Sequence, residues 1–308
     1  MTNVLWRQYK DFSGCLIRGT APVVPQDPTK HLSCAAWLTS EAEGPSYGYV
    51  QSYDGAGISA GLLHNILVFP RDLTQGDLGL LTRRLLDTMP LADVSRHLLE
   101  EVGRQGWSLA QDGKFRLPGG KLVSGSALRN WAAPTDGRVP RSGADWEQAS
   151  KVAVLFHNLF ASPVGWRVQE DFAIEWLARG NRTAELAVYR AFTGQRDLDS
   201  FIGLPVSALP SEVHVAMSVY HSFSVNSPKV AAECLARVSA RTASGSAEVF
   251  SKDLVRELGL HGRDAWHDEP GDGSNRYDRT RVALWGRPDL FPGGHEIMPR
   301  DLQDTVRS

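Results

Sequence analysis

Between Glu41 and Gly61 the chain reads Glu41-Ala-Glu-Gly-Pro-Ser-Tyr-Gly-Tyr-Val-Gln-Ser-Tyr-Asp-Gly-Ala-Gly-Ile-Ser-Ala-Gly61. No continuous helix can run through this segment. Gly44-Pro45 is a helix stop. Tyr47–Ser52 alternates aromatic with small or polar residues, as a short strand does. Asp54-Gly-Ala-Gly57 supplies backbone that can turn with positive φ or approach a ligand closely. A small β element is therefore required here, and carboxylates lie on both sides of it: Glu41 and Glu43 before the turn, Asp54 after the strand.

The remaining pattern is mostly helical. Pro22, Pro25 and Pro28 make residues 1–27 an N-terminal arm without regular periodicity. Asp27-Pro28 reads as an N-cap with Pro at the first helical position, opening a helix over Thr29–Glu43 with Leu32, Ala35 and Ala36 on one face. Ile58–Phe69 fits either a strand or a buried helix. Amphipathic helices are expected over Asp77–Thr88, Leu91–Arg104, Asp145–Phe160, Pro163–Ala178, Thr183–Phe192, Ser211–Phe223, Pro228–Val238 and Ala247–Leu258, the last stopped by Gly259. Residues 106–141 are rich in Gly, Pro, Lys and Arg and read as an irregular excursion, with a small hairpin around Phe115 and Val123. Residues 261–308 form a polar extension with Trp266 and Trp285 as anchors. The expected fold class is α+β, mainly helical, with one main domain over 28–260.

Bulk composition narrows the function. With 308 residues the chain can bury a sizeable core, and 42% hydrophobic with 22% charged residues is ordinary globular usage. The balance of 33 basic against 35 acidic residues gives no global field toward nucleic acid or anionic lipid. Cys15, Cys34 and Cys234 have no metal-binding spacing, and Cys34 reads as a small buried hydrophobe. The longest apolar stretch, Leu62–Pro70, is too short to span a bilayer. Met1–Lys10 lacks the apolar segment of a secretory signal. The expectation is cytoplasmic synthesis, with any action on the cell wall following release by lysis, a holin, an injection machine or a partner protein.

Carboxylates on either side of a cleft are what glycoside hydrolysis requires: one protonates the leaving oxygen, the other handles water or developing charge. Glu43, at a helix C-terminus, faces the negative end of the dipole. Any burial would raise its pKa further, as suits a general acid; a solvated helix-end Glu is the plain alternative. Glu41 points roughly 200° away on the same helix, so only one of the two faces a given cleft. Asp54-Gly55 is equally a common hairpin turn.

Gly57-Ile-Ser-Ala-Gly61 matches the G-x-S-x-G nucleophile elbow, but that motif needs an apolar strand leading into Ser59 and a helix after it. Gly119-Gly-Lys121 is no phosphate loop, because Phe115 and Leu122 stand where Gly and Ser/Thr are required. His261, His267 and Asp268 fit no metal spacing, and Tyr220-His221, late in a helix, fits either a cleft-facing pair or, more simply, a partly buried core edge. Some of the nine tryptophans could stack on sugars, although Trp37, Trp146, Trp176 and Trp285 lie on apolar faces or near helix ends and read as core.

Ser40-Glu-Ala-Glu43, Tyr47-Gly-Tyr49 and Asp54-Gly-Ala-Gly-Ile-Ser-Ala-Gly61 together resemble the chitosanase branch of the lysozyme superfamily. There a helix ending in the acid is followed by an aromatic-x-aromatic strand and a Gly-rich ribbon with the second carboxylate. Tyr53-Asp54 also looks like lysozyme-like peptidoglycan hydrolases. The resemblance implies a two-lobed lysozyme-like fold, Glu43 as acid and Asp54 as second carboxylate. It places Tyr47, Tyr49, Tyr53, Gly55, Gly57, Ser59 and His64 along the substrate, and implies neither cofactor nor metal. Ala56 stands where chitosanases commonly carry Arg, and the Glu43–Asp54 spacing is short for them. Peptidoglycan is therefore the better-fitting substrate, with chitosan or chitin next. A non-catalytic wall-binding or assembly protein that keeps the cleft without turnover is the alternative of another class, and a Ser59 esterase the third. In any of these roles a phage-like or secretion assembly is a candidate partner.

Overall fold

Ser124 accepts a hydrogen bond from Ala127 N at 3.2 Å and opens a helix inside the segment whose composition suggested only irregular backbone. The computed structural model describes residues 2–9, 12–20, 46–53, 55–133, 135–136, 139–140 and 143–176. Their strands are β1 Leu5–Tyr9, β2 Phe12–Ile17, β3 Val50–Gln51, β4 Ser59–Ala60, β5 Asn65–Ile66, β6 Ser108–Leu109, β7 Phe115–Arg116, β8 Thr135–Asp136 and β9 Val139–Pro140. Their helices are α1 Leu78–Thr88, α2 Asp93–Arg104, α3 Gly125–Ala132, α4 Gly143–Phe160 and α5 over 163–176.

The main sheet is antiparallel throughout, in the order β1-β2-β3-β4-β5. Residues 5–17 are thus a hairpin built into the sheet, not the arm expected over 1–27. Cys15, Leu16 and Ile17 on β2 are buried, and Cys15 and Ser52 exchange backbone and side-chain bonds of 2.9 Å. Gly14 makes this approach possible: a Cβ there would lie 2.3 Å from Ser52 O. The prolines at 22, 25 and 28 limit only the residues after β2.

Helix α4 lies on β2 and β3 and also packs against α2 and α3. Its buried residues Ala149, Val152, Ala153, Phe156, Leu159 and Phe160 recur at helical spacing, so one stripe meets the sheet and its neighbours. Trp131 of α3 extends this core, with ring centroids 6.3 Å from Phe156, 5.7 Å from Trp107 and 6.1 Å from Phe115. Gln75 fixes the β6–β7 hairpin to the sheet edge. Its amide donates to Phe115 O at 2.9 Å and Val123 O at 3.0 Å, and its carbonyl accepts from Phe115 N at 2.8 Å. Phe115 and Val123 do face each other as expected, through a 2.8–3.0 Å backbone ladder that turns at left-handed Gly119 and Gly120. The 106–141 segment is nevertheless more ordered than composition suggested, because α3 and β6–β9 lie within it.

Helices expected over Asp77–Thr88, Leu91–Arg104, Asp145–Phe160 and Pro163–Ala178 coincide with α1, α2, α4 and α5 to within a few residues. Ile58–Phe69 is neither one strand nor one helix. It is β4, a turn and β5. The helices expected over Thr29–Glu43 and beyond residue 178, and the extension 261–308, lie outside the described residues. The chain divides into two compact units, Met1–Val23 with Pro45–Phe172, and Val24–Gly44 with Ala173–Ser308. The described residues belong almost wholly to the first, which is left and re-entered between β2 and β3. This division differs from the continuous 28–260 domain expected from sequence. No helix among the described residues is long and apolar enough to cross a membrane.

Candidate functional site

The ribbon β3–β4–β5 and the corner preceding it contain most of the residues that the sequence singled out. Tyr47 pairs with Thr20 through backbone bonds of 2.9 and 3.0 Å, and Gly61 N donates to Tyr49 O at 2.9 Å. Gly48 turns the corner between the two tyrosines at φ +74°. A Cβ at Gly48 would stand 2.8 Å from the Ala161 Cβ, so glycine is required both sterically and conformationally.

Two helices grip this corner. From α4, His157 Nδ1 lies 2.6 Å from Gly48 O, so that nitrogen carries the proton and donates. From α5, Glu170 Oε1 accepts the Tyr47 hydroxyl hydrogen, and Trp166 stacks on the Tyr47 ring with centroids 5.1 Å apart and planes 20° apart. Ser162-Pro163 sets this helix in place: the Ser162 hydroxyl caps it by accepting from Gly165 N at 2.9 Å, and Pro163 occupies the first turn. Gln169, fully buried, donates to Phe160 O at 2.8 Å and accepts from Leu62 N at 3.2 Å, which ties α5 to the β4–β5 turn.

Burial pushes the Glu170 carboxyl up; the Tyr47 hydrogen bond opposes this and the neighbouring charge of Asp171 adds to it. The Tyr47 hydroxyl is pushed well above its ordinary value, first by burial and then by Glu170. Burial is the first cause of both shifts, so the hydrogen bond between the pair is poorly hydrated.

The individual site residues separate into two groups. Tyr49, Tyr53 and His64 are half-buried, and the Tyr49 and His64 rings lie together with centroids 4.9 Å apart. His64 has φ +50°, uncommon for a residue with a side chain. Tyr49 donates its hydroxyl to Gln51 Oε1 at 2.6 Å. Gly55, Gly57 and Ser59, expected along the substrate, are buried against protein. A Cβ at Gly55 would meet the Phe12 ring at 2.9 Å, and one at Gly57 the Arg129 Cα at 3.0 Å. Ser59 is 1% exposed on β4, between Gln51 and Ile66 on the neighbouring strands. A turn and β5 follow it, not the helix that a nucleophile elbow requires. Tyr47 is likewise 5% exposed and offers no open ring face.

Glu41, Glu43 and Asp54 lie outside the described residues, as do His221, His261, His267 and Asp268. Glu170, His157, Trp166 and Gln169 escaped the sequence reading. A signal existed for two of them: Trp166 and Glu170 stand four apart after a Ser-Pro helix start, and so share a face. Among the described residues no three His, Cys, Asp or Glu side chains are gathered as metal ligands. No family model matches the chain, and no curated protein or solved structure matches it at a significant level.

Proposed function

We propose that the chain is a lysozyme-like glycoside hydrolase that cuts the β-1,4 bonds between amino sugars in peptidoglycan. Glu43 donates the proton to the leaving oxygen. Asp54 positions water or stabilises the oxocarbenium-like transition state. The observation that supports this reading is the ribbon itself. Val50–Gln51 and Ser59–Ala60 pair as a short antiparallel ribbon, with left-handed glycines at 48, 55, 57 and 61. The strand expected over Tyr47–Ser52 is confined to Val50–Gln51, because Gly48 turns the backbone between the two tyrosines. Tyr49, Tyr53 and His64 supply half-buried aromatic surface of the kind on which sugar rings stack. Acid–base hydrolysis by two carboxyl groups uses neither cofactor nor metal.

The test is digestion of purified peptidoglycan, with mass analysis of the soluble fragments. Fragments ending in reducing muramic acid are expected. Anhydromuramic ends would make the chain a lytic transglycosylase, release from chitosan alone would move it to the chitosanase reading, and binding without release would make it a wall-binding protein. Glu43→Gln should lower hydrolysis at least ~100-fold with folding intact, the scale of general acid catalysis. If Glu41→Gln is the inactive variant instead, the acid is Glu41.

A further inference from the structure

We propose that Glu170 is a positioning residue for glycan binding, acting through Tyr47 to hold the Gly48 corner that leads into Tyr49, whose ring lies beside His64. This rests on the glycan-hydrolase reading of the same ribbon. Tyr47 was expected to touch substrate, but its ring is buried in the protein: Trp166 stacks on it, and it is 5% exposed. Its hydroxyl reaches across to α5 and ends on Glu170. The next residue, Gly48, is held from α4 by His157 at 2.6 Å. The residue after that, Tyr49, is half-buried beside His64.

The corner is thus fixed by a carboxyl, an imidazole and an indole from two helices, while Tyr49, which follows it, is half-buried beside His64. Closing a two-residue strand requires none of these three side chains, since Tyr47 is already paired to Thr20 through its backbone. What they add is a fixed direction for the Tyr47-Gly48-Tyr49 backbone. A rigid aromatic platform binds a sugar with less ordering cost than one that must first settle.

The experiment is steady-state hydrolysis of a soluble peptidoglycan fragment by the full chain and by Tyr47→Phe, Glu170→Leu, Glu170→Gln and the Tyr47→Phe/Glu170→Leu double variant. Thermal melts establish that each is folded. Tyr47→Phe and Glu170→Leu should each raise KM by roughly tenfold, the scale of one hydrogen bond, with kcat nearly constant, as for an interaction that binds ground and transition states alike. Because both remove the same bond, the double variant should be no worse than the single ones. Glu170→Gln keeps an accepting oxygen and should recover most of the loss. Unchanged KM in Tyr47→Phe, or multiplied effects in the double variant, would overturn the positioning role while leaving the hydrolase reading standing. A wild-type chain that neither cleaves nor binds the glycan would overturn both.

Discussion

Glu170 and Glu101 are both withdrawn from water, yet their surroundings shift them in opposite directions. Burial opposes ionisation of Glu101, but Lys151 at 2.5 Å, with Gln148 and Arg104, outweighs it and holds the carboxyl below its ordinary value. A depressed carboxyl contributes stability above its unfolded pKa and loses it as pH falls through the folded value. Glu101→Gln should therefore cost about 2 kcal/mol at pH 7, and the difference should close in urea melts below pH ~4. The raised Glu170 carboxyl behaves conversely. Its contribution is complete at acid pH and is lost as pH rises through the folded pKa. Glu170→Gln, which mimics the protonated group, should match wild type at pH 4 and become relatively more stable by pH 8 in the same melts. His64, at φ +50°, gives a third test at this scale. His64→Gly relieves the backbone, so stability should change by no more than about 1 kcal/mol in thermal melts; under the proposed glycan-hydrolase reading, glycan affinity should fall with the loss of the imidazole beside Tyr49.

At the scale of elements, short strands depend on side chains to hold their register. The β6–β7 hairpin pairs Ser108 with Arg116 and Leu109 with Phe115 and closes through Ala110 N on Lys114 O, and the three bonds from Gln75 join it to the sheet edge. Gln75→Ala leaves two buried carbonyls and an amide without that partner and should destabilise by about 2–3 kcal/mol. Amide exchange should accelerate first at Phe115 and Val123. Helix α3 depends on close approach. A Cβ on Gly125 would stand 1.7 Å from Leu73 O, and Leu73 is already left-handed at φ +56°. Gly125→Ala should accordingly cost more than about 3 kcal/mol by thermal melting, in the range of strained core insertions. The helices were legible because their apolar stripes repeat locally, as in Ala149, Val152, Ala153, Phe156 and Phe160. Helix α3 was not, because its eight residues are too few to show a period through surrounding Gly and Pro signals.

For the molecule as a whole, the sequence by itself determined the helices α1, α2, α4 and α5, the small β element after Pro45, and the need for glycine around Gly48–Gly61. Each of these depends on local periodicity or on backbone conformations that only particular residues tolerate. Only the tertiary structure decided that Leu5–Ile17 pairs into the sheet, because β2 meets β3 across a long excursion and its buried run Ser13–Ile17 has no alternation to announce a partner. It also decided which ribbon residues are filled by protein neighbours. Phe12 at Gly55 and Arg129 at Gly57 are distant in sequence, so burial there has no local signature. The same reason hid Glu170. A carboxylate in the middle of an amphipathic helix reads as a solvated face until folding sets it against Tyr47, more than a hundred residues earlier in the chain.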